Sequence, residues 1–184
     1  GGGGGGSSTN TPATSWQTIN ISGGAISNFE TTEYNNQSGL AQINAATAYI
    51  ALQQNNLNVG GDNVLIAITD SGVDASHNDL NDNINPTGHS TFGLTDQASE
   101  FFHGTHVAGI AAAERNGNGI HGVAYNAKIV SVRVLGNNTE SNWVNRVINS
   151  GAKIVNASWE YVPFGSISEV QTLIESSNEM VLLQ

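Results

Sequence analysis

The chain has 184 residues, 38% of them hydrophobic, with 15 acidic against 5 basic side chains and a net charge of -10. That balance argues against nucleic-acid binding and against docking on anionic lipid, both of which need a basic face. There is no cysteine, which excludes disulfides, thiol catalysis and thiolate metal sites, and there is no apolar run of membrane-spanning length.

Residues 1–39 are rich in Gly, Ser, Thr and Asn and open on six glycines, so they read as a flexible tether or spacer. Within this segment Trp16, Ile19, Ile21, Ile26 and Phe29 could add a short docked strand. The stretch starts at Gly1 with neither Met nor a basic leader, so it reads as a processed chain or one that begins after an export signal. Residues 40–57 read as a helix whose apolar face is Leu40, Ile43, Ala46, Tyr49, Ile50 and Leu57, closed by Asn and Gly pairs. Residues 64–69 are an unbroken apolar and β-branched run, the habit of a strand buried on both faces. The strand delivers Asp70 to its carboxyl end, where open α/β sheets place their chemistry.

Residues 72–102 read as a long loop, and His103 opens a helix of small apolar residues that Asn116-Gly117-Asn118-Gly119 ends. A second strand is predicted over 128–135. A helix follows over 139–150, with Trp143, Val144, Val147 and Ile148 inward and Gly151 as its stop. A third strand covers 153–157. Ser166 and Glu169 form a capping box for a helix over 166–177, and a fourth strand opens at Met180. Alternating strands and helices predict an α/β fold with a mainly parallel sheet flanked by helices on both faces. The fourth strand has only begun at Gln184, so the domain is expected to continue beyond this stretch. The predicted organisation is a tether over 1–39 and the first portion of a catalytic domain over 40–184.

Asp70 and His103 are the strongest candidate pair, since an acid that orients an imidazole base is the core of nucleophilic acyl transfer. On spacing alone, a structural aspartate and a helix-capping histidine explain the two residues as well. The flanking residues add to this. Asp70-Ser71-Gly72 with His77-Asn78-Asp79-Leu80, and His103-Gly104-Thr105-His106-Val107-Ala108-Gly109, closely resemble the aspartate and histidine motifs of subtilisin-like serine proteases. His121-Gly122-Val123-Ala124 and the strand Val130-Ser131-Val132-Arg133-Val134-Leu135 resemble the segment that follows in that family. The resemblance runs from about residue 60 to 183.

It implies that Asp70 is the triad acid and His103 the general base. His106 is then a supporting or packing residue, or one half of a His-x-x-His metal pair for which no third ligand is evident. Gly104 and Gly109 would permit close helix packing. Asn156-Ala157-Ser158 resembles the family's edge segment that pairs with substrate backbone, which assigns Ser158 to substrate binding. Here Trp159 replaces the usual small continuation and would reshape the pocket floor, or would be an exposed aromatic at a strand end. The resemblance also implies structural calcium, with Asp79 and Asn116 as oxygen ligands. The family's nucleophile lies in a Gly-Thr-Ser-Met-Ala-type motif, which does not occur in these 184 residues, and its oxyanion asparagine is not found here either.

Residues 34–49 resemble the lead-in of subtilase passenger domains in bacterial autotransporters, which implies a secreted or cell-surface location with the glycine run as a surface or membrane tether. The function implied is serine endopeptidase action on protein or peptide substrates, with this stretch inactive alone. The rivals are a catalytically dead module of the same fold that binds a peptide or partner, and an inactive chain stabilised by a partner.

Overall fold

The computed structural model describes residues 21, 23–87, 102–135, 142–159, 175 and 181–183. The short helices α1 (Gly23–Ser27), α2 (Thr32–Asn36), α3 (Ser38–Gln42) and α4 (Ala45–Gln54) precede β1 (Leu65–Asp70). A single 3-10 turn at Asn81–Asn83 is followed by α5 (Phe102–Ala112), β2 (Lys128–Arg133), α6 (Trp143–Ser150), β3 (Ile154–Asn156) and β4 (Val181–Leu183). The four strands form one parallel sheet in the order β2-β1-β3-β4, as the strand–helix alternation predicts.

The sheet has a face for each helix. Ile66, Ile68 and Ile129 pack under Ala108 and Ala112 of α5, while Ala67, Val130, Val132 and Val155 pack against Trp143, Val144 and Val147 of α6. Side chains alternate across a strand, so residues two apart share a face, and β1 is apolar on both sides because both sides are covered. α6 stops where predicted: Gly151 takes the left-handed conformation at φ 76, and its N–H reaches the Ile148 carbonyl.

Two expectations change. The segment read as a tether is folded from Gly23 onward: Phe29, Tyr34 and Leu40 are buried with Tyr49, Ile50 and Tyr125 in a third cluster. The helix expected over 40–57 is two helices. Asn44 between them is left-handed (φ 55), a conformation asparagine tolerates better than most residues, and it turns α4 away from α3. Ile43 and Leu57 fall outside the buried face and are exposed. Residues 1–20 and 22, and the helix expected over 166–177 apart from Glu175, lie outside the described residues. No helix among the described residues is long and apolar enough to cross a membrane.

The third cluster meets the sheet unit around His121, which is 1% exposed and ringed by Tyr34, Tyr49 and Tyr125 with centroids 5.1–6.3 Å away. Its Nδ1 lies 2.8 Å from the Gly122 carbonyl. Burial holds the imidazole pKa below its ordinary value, against the opposing pull of that carbonyl and of Glu33, while Arg115 adds to the depression. The folded chain therefore favours neutral His121, and the unfolded chain binds more protons once the pH drops below about 6.5. Stability is full above that pH and is lost as the pH falls toward the lower folded value. His121→Phe is expected to flatten this part of the curve of unfolding free energy against pH, as measured by urea titration at pH 5 to 8.

Candidate active site

Asp70 ends β1, which lies between β2 and β3, and its side chain is fully buried. His103 is the second residue of α5, with its side chain 55% exposed. The imidazole Nδ1 lies 2.8 Å from Asp70 Oδ1 and 3.0 Å from Oδ2. Two carboxylate oxygens around one ring nitrogen place the proton on Nδ1 and leave Nε2 as the basic nitrogen. The Ser71 N–H donates at 2.6 Å to Asp70 Oδ1, the oxygen nearer His103, and so helps to fix the carboxylate.

The loop after β1 and the first turn of α5 are fastened together. The Gly104 N–H donates to Ser71 Oγ (3.1 Å), and the Asp74 N–H donates to Thr105 Oγ1 (2.9 Å). Gly104 lets the helix come this close: a Cβ there would overlap the Gly72 carbonyl and stand 3.1 Å from Asp70 Cβ. Gly109 differs from expectation, since a Cβ there would meet nothing within 4 Å. It lines a cavity of about 300 Å³ shared with Asp74, His77, Phe102, Thr105 and His106. His106 stacks on Phe102, itself 73% exposed, with centroids 6.3 Å apart. Among the described residues no group of three His, Asp or Glu is placed to hold a metal ion.

Four of the described serines are candidates by sequence, and each has a place in the fold. Ser71 Oγ accepts the Gly104 N–H, Ser150 Oγ donates to the Val147 carbonyl, and Ser131 is buried inside β2. Ser158 is exposed, and its Oγ exchanges hydrogen bonds with the Asn156 side chain. β3 is flanked by β1 and β4, so this segment is not an edge strand, and Ser158 lies past its last paired residue. Trp159 is not an exposed aromatic. Its indole Nε1 donates to the Thr69 carbonyl (2.8 Å), beside Asp70, and its ring meets Trp143 edge to face.

Asp79 and Asn116 lie on facing segments, joined by the bond from the Asn116 amide to the Asn78 carbonyl, and Gly119 packs on the Asp79 carboxylate. Both carry the oxygen donors a hard cation takes, yet those oxygens already have partners. Asp79 Oδ2 accepts the Ile120 N–H, and Asn116 Oδ1 accepts the Asn118 N–H. The Asn116 amide nitrogen points at the Asn78 carbonyl and at Glu114. Asp79 Oδ2 and Asn116 Oδ1 each keep a lone pair beyond the contact they make.

Glu33 was not singled out in the sequence, because it sits in a polar, Asn-rich stretch with no periodicity. It is 4% exposed, and its Oε1 accepts the N–H groups of both Asn116 and Gly117 at 2.9 and 2.8 Å. Asn36 adds a bond to the Gly119 carbonyl. α2 thus clamps the loop that follows α5. Glu33→Ala would strand two backbone donors and is expected to destabilise the chain by about 1–3 kcal/mol, read from urea unfolding.

With this geometry in view, a sequence profile described as the Subtilase family matches residues 61–181. The chain belongs to the subtilase family. An extracellular serine protease of Serratia marcescens is 33% identical over 144 residues, covering 76% of this chain and 13% of that protein. The major intracellular serine protease of Bacillus subtilis (strain 168) is 40% identical over 97 residues, covering 50% and 30%. Among solved structures, fervidolysin from Fervidobacterium pennivorans, described as a keratinolytic enzyme related to subtilisin, superposes with a TM-score of 0.53 at 28% identity. That match covers 74% of this chain and 23% of fervidolysin. The chain therefore corresponds to the first part of a subtilase catalytic region and spans a small fraction of the relatives it matches.

Proposed function

We propose that this chain carries the acid and the base of a subtilisin-type serine endopeptidase. The observation that supports this reading is His103 Nδ1 seated on both oxygens of the buried Asp70 carboxylate. In the proposed reaction His103 Nε2 takes the proton of a serine hydroxyl as that oxygen attacks a peptide carbonyl. The imidazolium then returns the proton to the leaving amine, and water repeats the sequence to release the acyl group. Asp70 keeps Nδ1 protonated and offsets the imidazolium charge. The serine and the oxyanion donor belong to the parent protein outside these 184 residues, so the 184-residue chain alone is inactive. Ser158 is assigned to contact with the peptide substrate. The location is secreted or bacterial cell surface, in the manner of an autotransporter passenger, with the N-terminal glycine run as a tether.

A fluorophosphonate probe tests the reading. Labelling of the full-length protein that disappears in His103→Ala, with no labelling of the 184-residue chain, is the expected result. Absence of labelling in the full-length protein overturns it. Structural calcium at Asp79 and Asn116 is a further part of the proposal. A rise in Tm on adding calcium, lost in Asp79→Asn, supports it, and an unmoved Tm removes calcium from the reading.

A further inference from the structure

The end of β2 holds a buried arginine that the Asp70–His103 pair does not use. Arg133 is 2% exposed and stands opposite Asp70 in the β1–β2 register. Alternation puts it on the α5 side of the sheet, the side of Ile129, Ile66 and Ile68 and of Asp70 itself. Burying a guanidinium costs several kcal/mol unless its geometry is good, so an arginine here calls for a purpose that an aliphatic side chain would not serve.

The hydrogen bonds supply one. Arg133 Nε donates to the Leu135 carbonyl at 3.2 Å. The same short turn sends two N–H groups back to the Asp70 carbonyl, Val134 at 2.8 Å and Leu135 at 3.2 Å. The Leu135 residue is therefore held at both its polar groups, the N–H on Asp70 and the C=O on Arg133. We propose that Arg133 is a positioning residue: it closes the turn that grips the Asp70 backbone, and so sets the direction in which the Asp70 carboxylate meets His103. The inference rests on the protease reading for its kinetic consequence. A displacement of about 1 Å in a catalytic group costs on the order of 10²-fold in rate, so a loosened turn has ample leverage.

Two substitutions isolate the bond. Arg133→Gln places an N–H donor where Nε stood, and Arg133→Met places a methyl there, while both lose the charged end of the side chain. In the 184-residue chain the readout is the downfield proton resonance of His103 Nδ1–H, identified by its loss in His103→Ala. The resonance is expected to broaden or move upfield in Arg133→Met and to stay in place in Arg133→Gln. In the full-length enzyme, kcat per fluorophosphonate-titrated site is expected to fall at least about tenfold in Arg133→Met, with KM within twofold, and to recover in Arg133→Gln. An unchanged resonance and kcat in Arg133→Met overturn the proposal. If Arg133→Met does not fold, the resonance of Arg133→Gln decides: retained, it supports the brace, and lost, it overturns it. The resonance needs no nucleophile, so a full-length protein that fails to label would sink the protease reading and leave the brace to be judged by the spectrum.

Discussion

Replacing Asp70 by Asn in the full-length protein is expected to cut kcat by about four orders of magnitude while the fold survives. Subtilisin loses about 3 × 10⁴ in kcat when its triad acid is removed. The structure explains why the effect should be large here. Asp70 is fully buried and meets His103 Nδ1 through both oxygens, so water cannot stand in for the lost carboxylate. An asparagine has the same shape, and its one carbonyl oxygen can still take the Ser71 N–H. Its amide nitrogen, however, replaces Oδ2, so a donor stands where one of the two acceptors around Nδ1 was, the carboxylate charge is lost, and the imidazole tautomer with the proton on the wrong nitrogen is favoured. The check is kcat per titrated active site on a peptide substrate, alongside Tm. A loss smaller than tenfold would show that Asp70 does not orient the base.

Gly104→Ala is expected to damage the fold and the Asp70–His103 pair together. The added carbon would overlap the Gly72 carbonyl and crowd Asp70 Cβ at 3.1 Å, and the overlapped atom is backbone that no rotamer change can move. Overpacking of this kind costs about 1–3 kcal/mol, and the rigid neighbours argue for the upper end. Relief requires α5 to lift from the loop after β1. That lift would break the Gly104–Ser71 and Asp74–Thr105 bonds and carry His103 away from Asp70. Stability by urea unfolding and the His103 Nδ1–H resonance should therefore fail together. Gly109→Ala is the control: it meets open space inside α5, so it should leave the resonance unchanged and raise stability by about 0.5–1 kcal/mol.

Much of this was legible in the sequence because burial on both faces leaves a plain mark. The run ahead of Asp70, the strand at 130–135 and the apolar stripe of α6 could each be read from side-chain character alone. What escaped was structure made from polar residues. The segment before Leu40 looks like a solvated tether by composition, yet Phe29 and Tyr34 find partners in Tyr49 and Tyr125, far along the chain. Asn44 could sit inside a helix by propensity, and its left-handed turn follows from how α3 and α4 pack. Glu33 is a charged residue on a short helix, and only the tertiary fold aims it at the Asn116–Gly117 backbone. Trp159 read as a pocket element or an exposed aromatic, because its bond to Thr69 joins segments that are remote in sequence.

The parallel sheet also has a kinetic consequence. β1 pairs Leu65 with Lys128 on one side and Ile66 with Ile154 on the other. Neither pairing can form through a local turn, so long loops must close before any of these contacts repays them, and such topologies fold slowly. The Asp70–His103 pair is built on the same central strand, so its acid is carried by a segment that long-range pairing must fix. Until then β1 is an unpaired apolar segment, and the rate at which β2 and β3 find it sets how long the nascent chain is exposed to aggregation.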